Sequence, residues 1–122
     1  MSRFEAIDHV SIPVGDVDEA IHFYGEVLGL DQIDRPDFGF PGAWFGTESV
    51  PLHLTTGSKR RSDPHLAPNE AHIAFRVIGI EDLLARLRAA NIKIHELENS
   101  PAAKAQLFFH DPWGNMLEMI DY

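Results

Sequence analysis

The sequence predicts an α+β fold made of two βαβββ modules in tandem, and three observations carry that expectation. The order strand, helix, strand, strand, strand is written twice. Each copy opens on a histidine at the head of an alternating apolar segment. Landmarks of the first copy recur in the second at a nearly constant offset, which is the signature of an internal repeat.

In the first copy, Ile7-Asp8-His9-Val10-Ser11-Ile12-Pro13-Val14 alternates with a period of two. His9 and Ser11 therefore take one strand face, and Val10, Ile12 and Val14 the other. Asp16-Val17-Asp18-Glu19 resembles a capping box, and Ala20, Ile21, Tyr24 and Leu28 follow at helical spacing until Gly29 stops the helix. Three short strands are expected next, at residues 30–33, 43–46 and 52–55.

The second copy opens on Ala71-His72-Ile73-Ala74-Phe75-Arg76-Val77 and continues into a helix through Ile80, Leu83, Leu84 and Leu87, with Asn91 as its stop. Strands are expected at 93–97, 106–110 and 116–120. His9 and His72 lie 63 positions apart, and so do Val14 and Val77, and Val17 and Ile80. His53 and Glu118, each on the last strand of its copy, lie 65 apart. Module one is placed at about 4–57, a linker at about 58–69 and module two at about 70–122, all within a single domain.

Composition narrows the function classes. At 122 residues and 44% hydrophobic the chain has enough material for a core. No apolar run approaches the roughly 20 residues of a membrane helix, and no signal-peptide core follows the N-terminus, so a cytoplasmic location is expected. Cysteine is absent, which excludes disulfides, thiolate metal sites and thiol nucleophiles. A formal charge of −9 repels phosphate backbones and anionic membranes, and only Lys59-Arg60-Arg61 runs against it. That run is either a solvated surface or a receiver for an anionic substrate group. A small-molecule substrate is the expected partner, with neither nucleic acid nor membrane.

The residues able to carry chemistry are His9, His53, His72 and Glu118, on the first and last strands of the two modules. If the sheets curl round one concave space, these strands line it. Two neutral imidazoles and a carboxylate, with positions left for water or substrate, suit a divalent metal such as Zn, Ni, Mn, Co or Fe. His53 is either a fourth ligand or a residue facing solvent or substrate. His22, His65, His95 and His110 are expected at the surface. Asp111-Pro112-Trp113-Gly114-Asn115 carries turn chemistry and is expected to form a tight hairpin that delivers Glu118. The aromatic stretch Phe38-Gly39-Phe40-Pro41-Gly42-Ala43-Trp44-Phe45 is either a pocket wall or a loop packed over the core.

Along nearly its whole length the chain resembles the vicinal oxygen chelate superfamily, which holds glyoxalases, bleomycin-resistance proteins and dioxygenases. The resemblance rests on Asp8-His9-Val10, on Phe23-Tyr24 with Leu28-Gly29-Leu30, on Ala71-His72-Ile73 with Phe75, and on Phe109 to Asn115 leading to Leu117-Glu118. It implies paired βαβββ modules forming a curved mixed sheet around a metal cleft, a homodimer, and His9, His72 and Glu118 as metal ligands. His53 falls where glyoxalase I and methylmalonyl-CoA epimerase carry a fourth ligand.

The resemblance also implies a mechanism, chelation of two vicinal substrate oxygens by the metal, and four possible functions. The first is a glyoxalase-like lyase or isomerase in which Glu118 or His53 is the base. The others are an Fe(II) extradiol-type dioxygenase, a fosfomycin-type resistance transferase and a non-catalytic drug-binding protein. Two positions depart from glyoxalase I: Pro13 stands where its glutathione-contacting Arg would be, and His53 replaces its Glu. Both argue against glutathione as the substrate.

Overall fold

The computed structural model describes residues 1–57, 70–98 and 100–122. The expected linker at 58–69, with His65 and the Lys59-Arg60-Arg61 run, lies outside the described residues. The chain divides into two compact units, Met1–Ser58 and Lys59–Tyr122. Among the described residues no helix is long and apolar enough to cross a membrane.

In the first unit β1 (Val10–Val14) leads through Asp16 into α1 (Val17–Ile21), which continues as a π-helical segment over His22–Val27. The Asp16 side chain accepts a hydrogen bond from the Glu19 amide at 2.8 Å, satisfying one of the helix's free N-terminal donors. Gly29 ends the helix at φ 83°, a conformation that suits a residue without a Cβ. Strands β2 (Asp31–Ile33), β3 (Gly42–Gly46) and β4 (Leu52–Thr56) complete a sheet of order β1-β4-β3-β2, in which β1 runs parallel to β4 and the other pairs are antiparallel. Pro13 is tolerated because β1 is an edge strand.

The core of this unit lies between the helix and one sheet face. Ala20, Phe23, Tyr24 and Leu28 from the helix are buried, as are Ala43, Phe45, Leu52 and Leu54 from β3 and β4. Tyr24 meets Phe23 edge-on and Phe45 at a tilt. The alternate residues of the same strands, Trp44, His53 and Thr55, occupy the opposite, less buried face.

The second unit repeats the plan. β5 (Ile73–Arg76) leads to α2 (Ile80–Ala89), then β6 (His95–Glu96), β7 (Ala105–His110) and β8 (Met116–Asp121), in sheet order β5-β8-β7-β6. β5 is parallel to β8, and the other pairs are antiparallel. Helix α2 buries Ile80, Leu83 and Leu87, and Asn91 stops it at φ 57°. Asparagine is one of the few residues with a Cβ that enters this region readily. Every residue of β8 is buried.

Several strand boundaries differ from expectation. β1 starts at Val10 and β5 at Ile73, so His9 and His72 sit one residue ahead of the ladder rather than inside it. In the first unit the cause is Pro51, which lacks an amide hydrogen: it accepts from the Val10 amide at 3.0 Å but cannot extend the pairing. β6 is reduced to two residues, His95 and Glu96, although the Leu97 amide still reaches the Gln106 carbonyl at 3.0 Å.

Candidate functional site

Within each unit the fold brings two of the four candidate residues together. In the first, the β1–β4 register sets Ser11 beside His53 and so puts His9, Ser11 and His53 on one face. β3 adds Trp44 directly across from His53. The outcome is a three-ring stack: His53 lies flat on Trp44, with centroids 4.0 Å apart and planes 4° from parallel, and His9 covers its other side at 4.1 Å and 17°.

His9 Nδ1 lies 2.7 Å from Asp8 Oδ2. A carboxylate oxygen only accepts, so Nδ1 carries the hydrogen and Nε2 presents a lone pair. The His53 pKa is pushed below the ordinary histidine value, first by burial, then by the neighbouring His9 and by Arg35, with Asp8 opposing. His53 is thereby kept as a neutral ring, able to accept a proton or to ligate.

That depression has a consequence for stability. In the unfolded chain His53 takes up a proton near pH 6.5, whereas in the folded chain it resists protonation to lower pH. Unfolding therefore binds a proton, and stability falls as the pH drops through that range. The expected result is that His53→Asn flattens the acid slope of urea-unfolding stability in metal-free protein. Parallel slopes for the two proteins would refute it.

In the second unit His72 precedes β5, and the register Ala74 to Glu118 places Glu118 on the same face. His72 Nε2 lies 3.1 Å from Glu118 Oε1, and Glu118 is only 7% exposed. The other carboxylate oxygen, Oε2, accepts from Gln106 Nε2 at 3.1 Å. Gln106 is oriented in turn by Ser100, whose hydroxyl donates to Gln106 Oε1. On the far side of the imidazole, His72 Nδ1 lies 2.6 Å from the Glu70 carbonyl oxygen. Phe108 meets the His72 ring edge-on at 5.5 Å.

These contacts constrain the charge state. The Glu70 carbonyl can only accept, so the Nδ1 hydrogen is committed to it. Nε2 then turns a lone pair toward a carboxylate oxygen at hydrogen-bonding distance. Two lone pairs repel there unless a second proton or a cation satisfies both. A histidine anchored through one nitrogen to a carbonyl or carboxylate, with the other left bare, is the arrangement found in metal-binding histidines. His9 and His72 both anchor Nδ1 in this way, with His72 Nε2 meeting Glu118 Oε1, and each pair taken by itself offers donors of the kind divalent metals take.

Among the described residues no group of three or more His, Asp or Glu side chains that could hold a metal ion is present. The candidates meet as the pairs His9 with His53 and His72 with Glu118. Of the other histidines, His22 is exposed and pairs with Glu26 at 2.8 Å, and His95 is exposed near Phe108. His110, at the end of β7, is half-buried rather than at the surface.

The expected turn at 111–115 joins β7 to β8. Asp111 Oδ1 accepts from the amides of Trp113 at 3.0 Å and Asn115 at 2.8 Å, and its Oδ2 accepts from Asn115 Nδ2 at 2.7 Å. Gly114 takes φ 90°. This hairpin sets the register that faces Phe108 to Glu118.

Sequence reading missed Asp8, Glu70, Gln106 and Ser100 as parts of the site, and had Trp44 only within a stretch that was either a pocket wall or a packed loop. A signal existed for two of them: acidic Asp8 directly precedes His9, and Glu70 stands two residues ahead of His72. Gln106 becomes a neighbour of Glu118 only once the hairpin register is known.

A doubled βαβββ unit with a histidine ahead of each first strand and a carboxylate on the last defines a class of paired-module proteins. The chain matches the family model described as Glyoxalase/Bleomycin resistance protein/Dioxygenase superfamily over residues 6–119, and it belongs to that superfamily. It is 32% identical over 122 residues to Glyoxylase I 4 of Arabidopsis thaliana, a match covering 95% of this chain and 70% of the plant protein. A solved structure of a glyoxalase-family protein from Bacillus anthracis superposes with a TM-score of 0.78 at 26% identity, covering 99% of this chain and 98% of that one. The fold is also shared with FosX, a fosfomycin resistance protein of Listeria monocytogenes, solved as a mutant in complex with Mn(II) and 1S,2S-dihydroxypropylphosphonic acid. There the TM-score is 0.77 and the identity 14%, over 98% of this chain and 93% of FosX.

Proposed function

We propose that the protein is a divalent-metal-dependent, glyoxalase-like lyase or isomerase acting on a small substrate with two vicinal oxygens. In this reading His9, His72 and Glu118 are metal ligands, and His53 is a fourth ligand or the base. The observation that carries it is the shared anchoring of His9 and His72: each commits Nδ1 to an acceptor, and in the second unit Nε2 meets a buried carboxylate at 3.1 Å. The 32% identity to a plant glyoxylase favours this chemistry over the other activities of the superfamily.

When bound, the metal would supply Lewis acidity that stabilises negative charge on the substrate oxygens. The chain's own residues do the rest. Gln106 holds Glu118 Oε2, so the carboxylate keeps one orientation, with Oε1 turned to His72 Nε2. Glu118 Oε1 or a ring nitrogen of neutral His53 takes the proton from the carbon next to a substrate carbonyl and returns it. Trp44 limits rotation of His53 by stacking on it.

The test is metal stoichiometry. Purified protein offered Zn, Ni, Mn, Co or Fe is expected to bind about one equivalent per chain. His9→Ala and His72→Ala are each expected to weaken binding beyond the roughly tenfold to hundredfold effect of losing a ligand's supporting partner. Failure to bind any of these ions near stoichiometry, or undiminished binding by both variants, would end the metal reading. Oxygen-dependent consumption of catechols by the iron-loaded protein would move the function to ring cleavage.

A further inference from the structure

Arg35 stands between two carboxylates in sequence, Asp34 and Asp37, in a chain of net charge −9. Among the described residues it pairs with neither. Asp37 is engaged instead by the Gly39 amide at 2.9 Å. The guanidinium lies over two aromatic rings, 4.9 Å from the Phe38 centroid and 5.1 Å from that of Phe40. These rings are half-exposed, at 50% and 56%, and they stack on each other at 5.7 Å. Phe38 also meets Trp44 at 6.0 Å, which joins the pair to the Trp44, His53 and His9 stack.

Room for this arrangement is built into the strand. A Cβ at Gly42 would fall 2.8–2.9 Å from the Arg35 Nε, Cζ and Nη2 atoms, so only glycine lets the guanidinium lie across the start of β3. A guanidinium is weakly hydrated and offers a planar fork of donors, and stacking on rings fixes its plane while leaving the fork's edge open.

We propose that Arg35, held by Phe38, Phe40 and the space at Gly42, is the subsite that receives the oxyanion group of the substrate, a carboxylate or a phosphonate attached to a flat or apolar body. This deepens the proposed function and rests on it for the identity of the substrate as a vicinal-oxygen compound. The exposed rings accept the body, and the guanidinium makes a two-pronged, charge-assisted contact with the anion. In a chain this acidic, a cation with no carboxylate partner among the described residues gives an anionic ligand its local complement.

The experiment uses EDTA-treated protein, so that its outcome is independent of the metal. Binding of benzoylformate, its neutral methyl ester and phenylphosphonate is measured by calorimetry. Wild type is expected to bind at least one anion about tenfold or more tighter than the ester, in line with the strength of a charge-assisted bidentate contact. Whichever anion binds tighter identifies the group. Arg35→Gln is expected to abolish the preference by removing the charge. Gly42→Ala is expected to reduce it by displacing the guanidinium, with the charge retained. Equal binding of anions and ester by wild type, or a preference that survives in both variants, overturns the subsite. Loss of metal binding with the anion preference intact would instead remove the proposed function and leave the subsite standing.

Discussion

Glu118→Gln is expected to leave the fold intact, change the stability of metal-free protein by no more than about 1 kcal/mol, and reduce metal affinity and any metal-dependent turnover by two orders of magnitude or more. In the native protein the buried carboxylate accepts from Gln106 Nε2 at 3.1 Å and turns its other oxygen to His72 Nε2, also at 3.1 Å. A glutamine placed the same way keeps its oxygen on Gln106 and turns its NH2 to His72 Nε2, so both contacts can be kept as hydrogen bonds while the buried carboxylate, with any ion pair it makes to the imidazole, is removed. Stability is thus little changed while ligation is lost, as expected when a residue is held for its chemistry. Glu118→Ala gives the contrast: it strands the Gln106 donor and is expected to destabilise by about 2 kcal/mol. Urea unfolding of EDTA-treated protein, run beside a metal titration, separates the two effects. Wild-type metal affinity in Glu118→Gln, or destabilisation matching that of the alanine variant, would show that Glu118 is a structural residue.

The second large effect is expected at Asp111. Its side chain, 4% exposed, takes three hydrogen bonds from Trp113 and Asn115 and so closes the hairpin before β8. Asp111→Ala leaves two backbone amides and an amide side chain without that acceptor, for a loss of about 3 kcal/mol or more. Asp111→Asn keeps an oxygen for both backbone amides and loses only the bond from Asn115 Nδ2, so its loss should be about 1 kcal/mol. Because Glu118 lies three residues beyond Asn115, the alanine variant should also weaken metal binding, whereas the asparagine variant should largely retain it. Equal unfolding midpoints for the two variants would mean that the turn is held by Gly114 and Pro112 rather than by the carboxylate.

The fold was legible because its signals are local. Alternation at Val10, Ile12 and Val14 marked β1, Asp16 and Gly29 marked the ends of the first helix, and Asn91 marked the end of the second. The pairing of His72 with Glu118 was legible from the repeat, since first and last strands of equivalent modules occupy equivalent places. Contacts that depend on register and rotamer were not. Nothing in the one-dimensional pattern says that Gln106 reaches Glu118 across a hairpin, or that Ser100 turns the Gln106 amide. The aromatic run from Phe38 to Phe45 left two readings open because ring orientation decides between them. Arg35 carried no signal, since its distinction lies in ignoring its acidic neighbours.

The π-helical segment of the first unit accounts for a difference in length between the two helices. Val17 and Ile80, where the helices begin, are 63 positions apart, yet Gly29 and Asn91, the left-handed residues that end them, are 62 apart. The first helix therefore holds one residue more than its counterpart between equivalent endpoints. A regular helix lengthened by one residue would rotate everything after it by about a hundred degrees and misalign the following strand. A widened turn absorbs the surplus instead, and the Leu28 amide reaches back five residues to the Phe23 carbonyl at 2.9 Å. The bulge thus lets the first unit carry one residue more than the second while β2 still follows in register.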